Sequence, residues 1–364
     1  METMSTFPAG VLSDRQMFQM IKSGQISATR PIDTAQIQPA SLDLRLGSVA
    51  YRVRASFLSG KKASVSDRLE IFKMHEMDLN KGAVLEKGCV YVVPLLESLD
   101  LPKNMSAAAS AKSSIGRLDL LTRVITDNGV EFDRVPAGYR GQLYVEICPR
   151  SFSVVARMGQ MLNQIIFRVG KTIIADKDLR QLHKQTPIVS GSPVISDGLK
   201  FSVDLKPRLS DLVGYRAKPH TGVIALDKIT HYDPTDYWEE IRTSQERIIL
   251  DPGAFYILVS REEISIPPNC AAEMAPYLAM VGEFRVHYAG FFDPGFGHST
   301  SGSGSRGVLE VRCHEAPFVL EHAQIVGRLV YEKMSEEPER LYGSEIASNY
   351  QGQGLKLSKH FKTD

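Results

Sequence analysis

The chain repeats itself, and that constrains its fold more than any other feature. Gly88, Pro102 and Asn104 recur as Gly253, Pro267 and Asn269, each 165 residues further on. Between these markers VYVVPLLESLDLP parallels FYILVSREEISIP. Later the spacing settles at 164, where Glu146 meets Glu310, Gln160 meets Gln324 and Phe167 meets Tyr331. Upstream, Ser41-Leu42-Asp43-Leu44 resembles Ser202-Val203-Asp204-Leu205. A period this long is that of a duplicated domain and not of a solenoid repeat. The 364 residues have room for two ordinary domains. We place the first over residues 1–185 and the second over 199–364. The linker between them is 186–198, TPIVSGSPVISDG, rich in Ser, Pro and Gly.

Both copies read as β-rich. Short apolar runs at Val90–Val93, Leu143–Ile147, Ile165–Val169, Phe255–Val259, Val308–Val311 and Val326–Tyr331 are punctuated by Gly, Pro and Asn, the pattern of strands and turns. One helix is expected from Ser13 to Ile21. Ser13 and Gln16 have capping-box spacing, Met17, Met20 and Ile21 form a stripe, and Gly24 ends it. A second helical stretch is expected near Tyr237–Arg242.

Lys+Arg numbers 43 against 42 Asp+Glu, so the chain lacks the basic footprint of a nucleic-acid binder. A small anionic ligand needs only a local basic pocket. The N-terminus has no basic segment leading into an apolar run, and no apolar stretch approaches the ~20 residues that span a bilayer. A cytoplasmic protein with no membrane partner is expected. The four cysteines form no C-x-x-C pair, so buried reduced thiols are expected.

Two segments carry candidate chemistry. Lys112-Ser113-Ser114-Ile115-Gly116-Arg117 places two cations, two hydroxyls and a glycine in six residues, which suits a polyphosphate. Arg grips phosphate oxygens bidentately, the hydroxyls add donors, and glycine lets backbone approach a ligand. The ordinary alternative is a solvated turn. The second segment is Leu143-Tyr144-Val145-Glu146-Ile147. Alternation sets Tyr144 and Glu146 on one face and the aliphatic residues on the other. A partly buried carboxylate can move protons near neutrality, whereas an outward Glu on an edge strand does nothing. Glu310 in the second copy, within Val308-Leu309-Glu310-Val311, favours the first reading.

Together these residues resemble the dCTP deaminases of the trimeric dUTPase superfamily. The resemblance rests on QPASLDLRLG (38–47), the LP at 101–102 followed by KSSIGRLDL (112–120), GYRG (138–141) and the Val145-Glu146 strand. Tyr342 and Tyr350-Gln351-Gly352-Gln353-Gly354 resemble the closing tail of that family. The resemblance implies two tandem distorted jelly-roll (β-clip, dUTPase-like) domains. It also implies hydrolytic, zinc-independent deamination of dCTP to dUTP and ammonia. Glu146 would be the general acid/base, with Ser113 and Arg117 holding the attacking water and the site. Lys112 and Ser114 would lie near the phosphates, and Val145, Tyr342, Gln353 and Asp293 would bind substrate. Mg²⁺ would ride on the triphosphate, dTTP is a candidate inhibitor, and the assembly would be a three-fold homotrimer. Zinc deaminases use H-x-E followed by P-C-x-x-C. None of the nine histidines here has Glu two residues on. Hydrolysis of dUTP, alone or coupled to deamination, and non-catalytic nucleotide binding are the rival functions.

The copies differ where the chemistry would sit. KSSIGR is matched by Leu278-Ala279-Met280-Val281-Gly282-Glu283, with an acid where Arg117 should be. The second copy instead carries Asp293-Pro294-Gly295-Phe296, which resembles the base-binding turn of the family. The first has the altered Asn128–Asp133 segment and then Pro136-Ala137-Gly138-Tyr139. Asn349 replaces the lysine that precedes the tail tyrosine in the family. One class of working site is therefore expected. Either the first copy supplies it complete, with Glu146 and KSSIGR in one repeat, or KSSIGR works with Glu310 and the Asp293 turn; we favour the former. The run Gly295–Gly307 is read as a mobile hairpin tip.

Overall fold

A computed structural model describes residues 5–207, 211–276, 284–287, 290–298, 304–343 and 350–363. The architecture is mainly β, with a few short helices. The chain divides into two compact units. The first comprises 1–172, 222–229 and 334–339, and the second 173–221, 230–333 and 340–364. Residues 186–198 lie inside the second unit.

The same plan is built twice. In the first unit a sheet runs Lys73–Asp78, Val49–Val53, Val90–Asp100, Arg140–Pro149, Leu120–Thr126, all antiparallel. In the second the order is Trp238–Arg242, Leu212–Ala217, Phe255–Ile264, Ser305–Cys313, Phe284–His287. Registers match as the repeat spacing requires. Glu146 stands opposite Val92 and Arg123, and Glu310 opposite Ile257 and His287. A second sheet in the first unit centres on Met161–Val169 and Met105–Ala111, and its counterpart on Ile325–Lys333 and Cys270–Pro276. Each unit also has a small third sheet. Ala83–Leu85 pairs with Val154–Ala156 in one, and Arg247–Leu250 with Phe318–Glu321 in the other.

Two excursions of the chain complete the first unit. Ile224–Ala225 adds a parallel strand to Val154–Ala156. Residues 334–339 join the N-terminal helix: Ser13 Oγ donates to Glu336 at 2.6 Å, Arg15 pairs with Glu336, and the Glu339 amide donates to Asp14 at 3.0 Å. The Arg15 guanidinium holds the Glu336 carboxyl below its ordinary range.

The six strands read from apolar runs all form, and the helix spans Asp14–Lys22 with its Ser13–Gln16 capping box in place. The expected helix at Tyr237–Arg242 does not form. A single turn, Pro234–Tyr237, is capped by Asp233 and started by its proline, and Trp238–Arg242 is a strand paired with Leu212–Ala217. Ladder pairing and burial of Trp238 outweigh the local helical preference of the Glu pair. Sequence patterning also missed the helix Val65–Phe72, which opens on a Ser64–Asp67 capping box.

That helix roofs one face of the first unit's large sheet. Val65 and Leu69 pack with Val53, Val92 and Ile125, and Phe57, Phe72, Phe132 and Tyr144 close round them. Each fully buried aliphatic here contributes roughly 1.5–3 kcal/mol. Among the described residues no helix is long and apolar enough to cross a membrane.

All four cysteines are free, and Cys148, Cys270 and Cys313 are buried while Cys89 is half-exposed. Burial pushes the Cys270 thiol up to about 12 and raises Cys148 as well. Only a thiolate reacts readily. At pH 8 a thiol reagent should therefore modify Cys89 alone in the folded protein and all four sites after denaturation, read by mass spectrometry of the labelled peptides.

Candidate active site

The segment expected to grip phosphate is not an open loop. Ser113–Gly116 form one helical turn, closed by bonds from the Ile115 and Gly116 amides to the Lys112 carbonyl at 2.8 and 3.0 Å. Gly116 is buried within that turn, and so are Ser114 and Arg117, while Ser113 is half-exposed. The Lys112 ammonium forms an ion pair with Asp43. Asp43 belongs to the strand Leu42–Arg45, the centre of QPASLDLRLG. That motif therefore braces the turn from beneath. Two residues on, Arg45 Nε donates to Glu97 Oε1 at 2.7 Å, and the Arg45 amide donates to Glu97 Oε2 at 2.8 Å. Glu97 is fully buried and also accepts from Gln36 at 3.1 Å.

Glu146 is buried, 1% exposed. Both faces of its strand are covered, with Leu143, Val145 and Ile147 fully buried on the face opposite to it. Its Oε1 accepts from Arg123 Nε at 3.1 Å and also from Nη2, and its Oε2 is buried without a hydrogen-bond partner. Arg123 is itself fixed. Nη2 donates to Ser56 Oγ at 3.0 Å, and the guanidinium lies 3.6 Å from the centroid of the Phe132 ring. Residue patterning does not single out Arg123, because one cation in LLTRVIT reads as a solvent-facing strand position.

In the second unit Glu310 is buried on the matching strand. Asp293, also buried, begins the turn 293–297. Glycine is required at Gly297: φ is +63° and a Cβ would lie 2.0 Å from the Ile264 carbonyl oxygen. The C-terminal tail docks on this turn. The Tyr342 amide donates to Pro294 at 2.9 Å, and its ring tilts against Phe296 at 5.7 Å. Gln351 accepts from Gly297 at 3.1 Å. Gln353 donates to the Arg306 carbonyl at 3.0 Å, and the Arg306 amide donates back at 3.1 Å. The structure thus gathers Asp293, Tyr342, Gln353 and Glu310 in one unit, and Lys112, Ser113, Ser114, Arg117, Val145 and Glu146 in the other. Residues 278–283, Asn349 and the middle of the Gly295–Gly307 run, 299–303, lie outside the described residues.

The chain is thus a doubled antiparallel β protein with one buried strand glutamate per copy and a KSSIGR turn in the first. The chain belongs to the 2'-deoxycytidine 5'-triphosphate deaminase family. The N-terminal domain of that family matches residues 8–171 and the C-terminal domain residues 175–361. A crystal structure of 2'-deoxycytidine 5'-triphosphate deaminase from Agrobacterium tumefaciens superposes with a TM-score of 0.90 at 53% identity, covering 93% of this chain and all of that one. A dCTP deaminase of Pectobacterium atrosepticum is 30% identical over 165 residues, 43% of this chain and 82% of the relative. A dUMP-forming dCTP deaminase of Beutenbergia cavernae is 36% identical over 112 residues, 31% of this chain and 57% of the relative. The match thus spans little more than half the length of the Beutenbergia protein.

The Arg45–Glu97 pair offers a test of the bracing. Removing one partner of a buried pair leaves an uncompensated charge, which costs about 3–5 kcal/mol. Glu97→Ala should lower the urea midpoint of the first unit's transition accordingly, whereas Arg140→Ala, whose pair with Asp100 is exposed, should leave it nearly unchanged.

Proposed function

We propose that this protein catalyses the hydrolytic deamination of dCTP to dUTP and ammonia, as an enzyme of pyrimidine deoxynucleotide metabolism. The observation that carries this reading is the family match, which runs through both units and includes the KSSIGR turn and the glutamate strands. A glutamate presented by an interior strand of a unit takes a proton from water as the oxygen attacks C4 of the cytosine. It then returns a proton to the amino group that leaves as ammonia. Such placed proton transfer contributes about 10²–10⁴-fold. The remaining acceleration comes from holding water and base in line and from donors to the tetrahedral intermediate.

Ser113 and Arg117 order the attacking water and the site, and Ser114 lies by the phosphates. Lys112 adds positive charge there while still tied to Asp43. Val145 contributes its backbone, because its side chain is buried opposite Glu146. Asp293, Tyr342 and Gln353 form the turn and tail that enclose the base. Mg²⁺ arrives on the triphosphate, and the reaction needs no zinc. Each unit is a distorted jelly roll of the β-clip kind, and three chains assemble with three-fold symmetry. The enzyme works in the cytoplasm, and dTTP competes with the substrate.

Purified protein incubated with dCTP and Mg²⁺ should yield dUTP and ammonia in equal amounts, resolved by ion-exchange chromatography and an ammonia assay. Accumulation of dUMP and pyrophosphate would instead assign the dUMP-forming activity by which the Beutenbergia relative is named. Binding of dCTP without turnover would overturn the enzyme reading. Ser113→Ala should lower kcat about 10²-fold, the order found for losing one positioned donor, with the melting temperature unchanged.

A further inference from the structure

The tail that docks on the 293–297 turn is followed by a second docked segment, 358–362. We propose that Phe361 is a positioning residue: its buried ring moors the tail 350–354 over that turn, so that this part of the enclosure stands assembled before nucleotide binds. The inference rests on the deaminase reading above and gives Phe361 a part in it.

The mooring begins in the backbone. Residues 359–362 run beside 230–232. The Thr230 amide donates to the Lys359 carbonyl at 2.9 Å, and the His231 and Tyr232 amides donate to the His360 carbonyl at 2.9 and 3.1 Å. The Lys362 amide returns a bond to the Tyr232 carbonyl at 2.8 Å, and Tyr232 and Phe361 form a parallel bridge. A turn fixes the approach of the ring. The Phe361 amide donates to the Ser358 carbonyl at 3.0 Å, and Ser358 Oγ lies 2.8 Å from His360 Nδ1, both side chains being buried.

The ring supplies the hold. Phe361 is 1% exposed. Its centroid lies 5.4 Å from that of Tyr237, 5.9 Å from Trp238 and 6.4 Å from Tyr232, in edge-type contacts. Such pairs add to what burial of the ring contributes. Trp238 opens the strand Trp238–Arg242, which two others separate from Ser305–Cys313 in the same sheet. The socket for Phe361 is therefore part of the sheet that also carries the tail.

The tail itself lies on Ser305–Cys313. The Gly352 amide donates to Ser305 Oγ at 2.8 Å, and Gln353 exchanges two bonds with the backbone of Arg306. Gln351 reaches the turn through the Gly297 amide. Tyr350 joins this tail to the Phe361 segment. Its hydroxyl accepts from the Lys359 amide at 3.4 Å, and the Lys356 ammonium stands 5.8 Å from its ring centroid. The tail is thus held at both ends of a short tether. Ordering a free tail on a ligand would cost conformational entropy at each binding event. A tail already ordered by the seating of Phe361 has met that cost on folding, which strengthens binding by preorganisation.

Three variants test the mooring. Phe361→Ala empties the socket, Phe361→Leu refills part of it, and a Gly-Gly-Gly insert between Gly354 and Leu355 slackens the tether with the socket full. Hydrogen exchange of the nucleotide-free protein, read by mass spectrometry, should show residues 350–354 exchanging about ten-fold faster in the alanine and insert variants. Residues 255–264 should keep their protection, and the leucine variant should recover part of the loss. With the tail docked about a tenth as often, the KM for dCTP should rise about ten-fold while kcat stays within about three-fold. Unchanged tail exchange in the insert variant, or faster exchange with an unchanged KM, would overturn the assignment. Should circular dichroism show that the alanine variant unfolds, the insert variant decides alone. Wild-type protein that releases no ammonia from dCTP would refute the deaminase reading, and the exchange comparison would still decide the mooring.

Discussion

The strand Arg140–Pro149 is hydrogen-bonded along both edges, to Val90–Asp100 and to Leu120–Thr126, and its repeat Ser305–Cys313 is held in the same way. Strands flanked on both sides satisfy their backbone entirely within the sheet. Any polar side chain they carry into the interior must then find its own partner or bear the cost of desolvation. A glutamate in such a place is expensive, and each copy keeps one. The two units differ in what they built around that acid, and most of the remaining differences between them follow from this.

In the first unit the charge is answered locally. Arg123, itself held by Ser56 and the Phe132 ring, pairs with the carboxylate, and the helix Val65–Phe72 closes the same face. In the second unit the effort goes into a turn that needs glycine at 297 and into a tail laid across it. The KSSIGR turn, buried and braced by Asp43, stayed with the first unit. The two copies thus share one strand plan and have diverged in these segments. A fold tolerates this divergence because its stability rests on the ladders and the core, not on the residues that carry chemistry.

Much of the architecture was legible in the residues. The duplication fixed the number of units and the register of their strands, because a constant offset survives only where ladders preserve it. The Ser13–Gln16 box announced the first helix, since its side chains satisfy the helix's own amides without help from elsewhere. Local signals failed where partners were distant. Trp238–Arg242 is a strand because Leu212–Ala217 lies beside it. Val65–Phe72 is a helix seated by a sheet face that no periodicity reveals. For the site, Glu146 and the 112–117 segment could be singled out by residue type. Arg123 could not, since its meaning depends on a cross-strand neighbour 23 positions away. Lys112 looked like a ligand-facing cation, and only the fold brings Asp43 to it.

The two excursions that finish the first unit bear on how the protein is made. The parallel strand at Ile224–Ala225 comes from a segment that interrupts the second unit, and the 334–339 segment follows most of it. On a ribosome the early half emerges with a sheet edge and its first helix still lacking their late-arriving neighbours. Domains usually mature in order of synthesis. Here the earlier one gains its last segment only after residues 334–339 are made, so its completion trails the synthesis of most of the second.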